Sequence, residues 1–251
     1  MEISLAEVAL LLVAGLFGGI INTLAGGGSN LTMPALMVMG LPADVANATN
    51  RLGIFLQSLT AVAKFKQQDQ LPSDDIQGIL WPCILGGAIG AIGAAWAPLW
   101  LLKPLLLGTM LTVAAIMLFW PSVIPDENTQ PYKVSERRSG LWGLFFAGLY
   151  GGFVQAGVGF ILLTVLAGSL RYDLVKANAL KLLCSLGFTF VALAIFISQG
   201  QVNWFYGLIL SVGFIAGAII GVKLALKASP KTLKIAVFVL TLVACAAAYG
   251  V

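Results

Sequence analysis

Long apolar runs, broken by short polar or glycine-rich punctuation, fill almost the whole chain. A helix that crosses a bilayer needs about 20 mainly apolar residues, because each residue adds only about 1.5 Å of rise. The runs predict roughly five helical segments in each half. They lie near residues 6–24, 28–40, 45–64, 76–96 and 101–120, then 139–156, 157–169, 174–197, 203–226 and 230–250. The second segment of each half has only about a dozen residues, too few for a comfortable crossing. It reads either as a short crossing or as a half-helix paired with the first segment in a re-entrant hairpin. Residues 121–138 hold Pro121, Pro125 and Pro131 among mixed charges and read as a linker. The expected architecture is an all-α polytopic membrane protein. Its first transmembrane repeat covers 1–120, a cytoplasmic linker 121–138 and its second repeat 139–251.

One feature of this pattern occurs twice. Ala25-Gly26-Gly27-Gly28-Ser29-Asn30-Leu31 interrupts the first half, and Ala156-Gly157-Val158-Gly159-Phe160-Ile161 interrupts the second, 131 positions later. About twenty residues beyond each break comes a polar run at the same offset. The first run is Ala46-Asn47-Ala48-Thr49-Asn50-Arg51 and the second is Ala177-Asn178-Ala179-Leu180-Lys181. Paired interruptions at matching places in two halves of a membrane chain point to a transporter binding site. Other small residues recur at four-residue spacing: Gly15 and Gly19, Gly86 and Gly90, Gly148 and Gly152, then Gly213, Gly217 and Gly221. Those are expected to let helix backbones approach closely in lipid.

Composition sharpens the membrane reading. The 251 residues are 59% hydrophobic and 10% charged, with a mean hydropathy of +0.98. A soluble domain carries about 25% charged residues, so too little polar side chain is present to coat a water-facing surface. The opening Met1-Glu2-Ile3-Ser4-Leu5 lacks the basic stretch of a signal peptide, and the first apolar segment is expected to be retained. With the N-terminus outside, the cytoplasmic side collects Lys64, Lys66, Lys133, Arg137, Arg138, Arg171, Lys176, Lys223, Lys227, Lys231 and Lys234, and the outside only Lys103. That asymmetry predicts a multi-pass membrane protein with both termini on the extracytoplasmic side. An odd number of crossings per half makes the two repeats inverted; the rival, a four-plus-four parallel arrangement, would spread these charges over both sides or need a different segmentation. The net charge of +4 therefore reads as membrane orientation, with no nucleic-acid partner. Cys83, Cys184 and Cys245 are scattered through apolar sequence and suggest neither a disulfide frame nor a metal site. Histidine is absent from the sequence, which argues against His-based catalysis, haem ligation and His proton relays. No cofactor is expected. Gly28-Ser29 superficially resembles a serine-protease motif, but no histidine could activate the hydroxyl.

Candidate chemistry gathers at the breaks and the polar runs. A broken backbone at membrane depth is tolerated only where protein or trapped water satisfies its polar groups. A half-helix starting near Ser29 would turn its first amides and positive dipole end toward the break, and a second end near Gly159 would face it. Two such ends form an anion site. Gly26, Gly27, Gly28, Gly157 and Gly159 leave room for an anion to reach backbone N–H groups, and Ser29 and Asn30 add side-chain donors; the alternative is that the glycines only permit tight helix crossing. Asn47, Asn50 and Arg51 share one helix face, with Gln57 further along it; Asn178, Lys181 and Ser185 share another. One cation per half suits an anionic ligand, although either cation could instead anchor a helix end or snorkel. Asn22, Thr23, Thr49 and Gln155 are weaker candidates. Every carboxylate falls in a loop or near a segment end. A carboxylate-based proton relay or sodium cage is thus not visible, and efflux driven by potential and gradient is the working hypothesis. Outward movement of one negative charge gains about 2.3 kcal/mol per 100 mV.

The chain resembles the sulfite exporter TauE/SafE family of membrane transporters. The resemblance is carried by Ala25-Gly26-Gly27-Gly28-Ser29-Asn30-Leu31-Thr32-Met33-Pro34, Gly40-Leu41-Pro42 and Ala48-Thr49-Asn50-Arg51-Leu52. The second copy, Gly157-Val158-Gly159 with Ala179-Leu180-Lys181-Leu182-Leu183, is degenerate. It implies an inner-membrane transporter that exports, or less often takes up, sulfite, sulfonates or related organic anions. An anion channel on the same scaffold is the alternative. The expected partners are a small anionic substrate and the lipid bilayer, for a monomer or homodimer.

Overall fold

A computed structural model describes residues 4–119 and 130–225, and among them nine α-helices and no strand occur. The tenth expected segment, 230–250, and residues 121–129 of the expected linker lie outside the described residues. Helix α1 spans Leu5–Ala25. Ser4 and Glu7 start it with a reciprocal capping box, which satisfies two of its otherwise unpaired N–H groups. Gly26 stops it in the left-handed region, at φ +80°, where a side chain would be disfavoured. Helix α2 is short, Ser29–Val38. Helix α3 spans Ala43–Lys66, α4 Ile76–Ala95 and α5 Leu99–Phe119. After a 3₁₀ turn at Val134–Glu136 comes α6, Arg138–Phe153. Helix α7, Val158–Leu163, passes straight into a π-helical turn at Thr164–Ser169. Helices α8, Leu174–Ser198, and α9, Trp204–Ala225, complete the set.

Five of these helices are long and apolar enough to cross a membrane: α1, α4, α5, α8 and α9. Helix α3 has the length, at 24 residues, but spends part of it on the polar run. The segment from Val158 to Ser169 folds back along α6. A methyl group on Gly151 would meet Val158, one on Gly143 would meet Val165 and one on Gly140 would meet Leu170. The hydroxyls of Ser139 and Ser169 then lie 2.8 Å apart, so the chain returns to the level at which α6 began. In the first half α2 turns back onto α1, with Gly28 against Gly18 and Asn22.

The most extensive helix pairs are α1 with α9, α4 with α6, α3 with α9, α4 with α8 and α3 with α8. Each joins a helix before residue 120 to one after residue 137. The glycines at four-residue spacing line the first two pairs. A Cβ on Gly15 or Gly19 would sit 3.1 Å from the Cα of Gly213 or Gly217, and one on Gly90 or Gly152 would strike the backbone of Leu149 or Gly87. Lipid offers no hydrophobic drive between helices, so this close backbone contact supplies the packing. Trp81, Trp96, Trp100, Trp142 and Trp204 are exposed on the outside of the bundle.

Candidate functional site

Helix α3 carries Asn47, Thr49, Asn50, Arg51 and Gln57 at 1% exposure or less. Buried donors in an apolar bundle must find acceptors within the protein. They find them where helices end. The Arg51 guanidinium donates to the carbonyls of Gly151, Gly152 (2.7 Å) and Phe153 (3.3 Å), to Gln155 Oε1 and to Asn47 Oδ1 (3.4 Å). Those three carbonyls belong to the last turn of α6, where a helix has unpaired C=O groups and its negative dipole end. Asn47 Nδ2 adds a bond to Phe153 O at 2.9 Å. The Phe196 ring closes over the guanidinium at 5.4 Å.

The other buried cation is held in a comparable way. Lys181, on α8, is 1% exposed, and its Nζ donates to the carbonyls of Asn22 and Thr23, both at 2.9 Å, in the last turn of α1. Gln57 secures the same turn, accepting from Asn22 Nδ2 at 2.6 Å and donating to Thr23 Oγ1 at 2.8 Å. Each half therefore sends a cation to the C-terminal end of the other half's first helix. Among the described residues neither cation has a carboxylate partner; the ion pair found there is Lys176–Asp173, at 3.1 Å on the surface. With no acid in reach, helix-end carbonyls are the strongest acceptors available, and they hold both charges. Both cations are thus held by the carbonyl ends of helices, a partner that the sequence, which offered each to an anion, did not announce.

Gly26 and Gly159 touch. A Cβ on Gly26 would lie 2.2 Å from the Gly159 Cα, and one on Gly159 would lie 3.1 Å from Lys181 Cδ. Two backbones meet there with no space for a side chain, beside the stem of Lys181. Around this point Asn50 Nδ2 donates to Ser29 Oγ at 3.0 Å, and Thr32 Oγ1 donates to Asn50 Oδ1 at 2.6 Å. The amides of Asn30 and Leu31 close the first turn of α2 on the carbonyls of Gly27 and Gly28. Gly27, Gly28 and Ser29 precede those donors, and helix geometry gives their amides no partner one turn back. Gly28, the N-cap, supplies no side-chain cap.

The remaining candidates are more dispersed. Thr49 Oγ1 accepts from the Asn203 amide at 2.9 Å and so braces the start of α9. Gln155 takes the left-handed region at φ +69°, and its Oε1 also accepts from Thr189 at 3.2 Å. Gly157, at φ +76°, backs onto Val113 of α5. Asn178 is buried on α8 with its Oδ1 unbonded, as are Asn30 Oδ1, Arg51 Nε and Ser58 Oγ. Thr32, Thr189 and Asn203 belong to this network and were not singled out in the sequence. Thr32 could have been, since it follows Ser29 by three positions on one face of α2. A cavity of about 250 Å³ borders the second break, between α5 and the α7 hairpin, lined by Val113, Ile116, Phe160, Ile161, Thr164 and Val165. It is apolar and reaches none of the cations.

A helical bundle with five membrane-length apolar helices, a helix hairpin returning to its own side and charges buried on helix ends defines a polytopic membrane protein. Comparison with known proteins identifies which kind. Residues 11–248 match the family model described as sulfite exporter TauE/SafE, and the chain belongs to that family of membrane transporters. It is similar to a probable membrane transporter protein of Haemophilus influenzae, 29% identical over 90% of this chain and 88% of that one. It is also similar to one of a Sinorhizobium species, 25% identical over 90% and 86% of the two chains. A third, the Escherichia coli probable membrane transporter YfcA, is 26% identical over 90% and 84%.

Proposed function

We propose that the chain carries a small sulfur-containing oxyanion, such as sulfite or an organic sulfonate, across the inner membrane, with export as the net direction. Its two halves act as inverted repeats whose termini lie on the extracytoplasmic side, in a monomer or homodimer. The observation that carries this reading is the contact of Gly26 with Gly159 beside a buried Lys181 that has no carboxylate partner among the described residues. At this junction the amides of Gly27, Gly28 and Ser29, the side chains of Asn30 and Asn50, and the Lys181 ammonium provide donors to an oxyanion. Arg51, Thr49, Gln57, Gln155, Gly157 and Asn178 complete the polar surround. Arrival of an anion draws Lys181 off the carbonyls of Asn22 and Thr23, loosening the end of α1. Rocking of one bundle against the other then exposes the site to each side in turn.

The test is efflux of radiolabelled sulfite from liposomes that contain the purified protein. A carrier gives saturable flux with counterflow; single-channel current would favour the anion channel instead. Gly27→Leu, which fills the break, should stop the flux. Undiminished transport by that variant would remove the glycine breaks from the pathway.

A further inference from the structure

Outside the transmembrane network, two arginines crowd one tyrosine. Arg137, at the entry to α6, places its guanidinium carbon 4.5 Å from the centre of the Tyr132 ring, and Arg171, in the turn before α8, places its own at 5.1 Å. Tyr132 is fixed there by its amide, which donates to the Leu170 carbonyl at 2.9 Å. Both arginines are exposed, and Arg138 follows on the first turn of α6, also exposed. Three of the carboxylates nearby, among the described residues, are engaged. Asp75 Oδ2 accepts from the Val134 amide at 2.6 Å, Glu136 Oε2 from the Lys133 amide at 3.0 Å, and Asp173 pairs with Lys176 at 3.1 Å. Like charges held around one ring repel each other, and no acid among the described residues pairs with either arginine.

The same end of α6 presents a second, apolar feature. Leu141, Trp142 and Phe146 face outward, and Trp142, Phe145 and Phe146 form a cluster with ring centres 5.5–6.1 Å apart. Trp142 is one helical turn beyond Arg138. Exposed guanidiniums at the first turn of α6, with an outward-facing aromatic cluster one to two turns further along the same helix, match a charged head group with an acyl chain beside it. We infer that Arg137 and Arg171 bind the phosphate of an acidic phospholipid, whose chain lies along Trp142 and Phe146. Guanidinium forks suit a phosphate diester, and its negative charge relieves the repulsion between them. Basic pockets beside transmembrane helices take acidic head groups by this chemistry. The occupant pins the end of the linker to the start of α6 and to the turn before α8.

The experiment compares thermal unfolding of the full-length protein in detergent with added phosphatidylglycerol, phosphatidylcholine or inorganic phosphate. Phosphatidylglycerol should raise the midpoint by several degrees more than phosphatidylcholine, and phosphate should have no effect. The double variant R137Q/R171Q should lose most of that difference. K64Q/K66Q, which removes the same charge elsewhere, should keep it. Native mass spectrometry of the wild type should show phosphatidylglycerol retained in preference to phosphatidylcholine. Equal effects of the two lipids, or equal losses in the two double variants, would overturn the site. Stabilisation by inorganic phosphate alone would overturn the assignment to lipid and leave a site for a soluble anion.

Discussion

Arg51 and Lys181 do similar work with unequal means. The guanidinium reaches five oxygens and ties three terminal carbonyls of α6, whereas the lysine ties two of α1. A buried acceptor left without its donor costs about 1–3 kcal/mol. Removing a buried cation also removes its own desolvation cost, so the net loss falls below the sum over its bonds. On these terms Arg51→Met should destabilise the protein by a few kcal/mol and Lys181→Met by less. Both should lower the midpoint of thermal unfolding in detergent, the arginine variant further. The reverse order would mean that the extra bonds of Arg51 contribute little beyond offsetting its burial. Loss of transport in either variant has to be read against this structural effect.

At the scale of elements, the glycines separate into those that set helix spacing and those that do not. A Cβ on Gly90 would lie 2.0 Å from the Leu149 carbonyl oxygen, a backbone atom that cannot turn aside. Gly108, exposed on α5, has nothing within 4 Å of the same position. Gly90→Ala should therefore push α4 and α6 apart and destabilise the protein by several kcal/mol, in the range of overpacking or worse. Gly108→Ala should be neutral or gain up to about 1 kcal/mol from helix propensity. Thermal unfolding of the two variants side by side checks this, and equal effects would mean that the α4–α6 contact is not tight. Helix positions were legible because run length and apolarity set them; α1, α4, α8 and α9 each fall within about two residues of the apolar runs that announce them. The buried cations were legible too, because Arg and Lys are rare within such segments. Their partners were not. Backbone carbonyls of Gly151 and Gly152 carry no signature in side-chain identity, and they lie 100 positions or more from Arg51. Nor does any residue type announce the π-helical turn at Thr164–Ser169 or a left-handed Gln155.

For the whole molecule, the order of helices along the chain is not the order of packing. All five of the most extensive helix pairs cross from the first half to the second. Arg51 and Lys181 cross in the same sense, each capping a helix of the other half. Expressed alone, residues 1–125 would leave the glycine face of α1 without α9 and Arg51 without its α6 carbonyls. Residues 126–251 would leave Lys181 without α1 and the glycine face of α6 without α4. Each fragment would expose small-residue faces and unpaired polar groups to hydrocarbon, where unsatisfied groups are most costly. Neither half should accumulate as a folded membrane protein by itself. Expressed together from separate genes, the two should assemble, because the linker contributes none of those five pairs. Co-purification through a tag on one fragment, followed by size-exclusion chromatography, decides the matter. A first fragment that is monodisperse and stable alone would show that the halves are independent units and that the crossed contacts are incidental. Assembly only on co-expression would mean that the interface between the halves is the core of the protein, and that any movement between bundles must leave the α1–α9 and α4–α6 pairs intact.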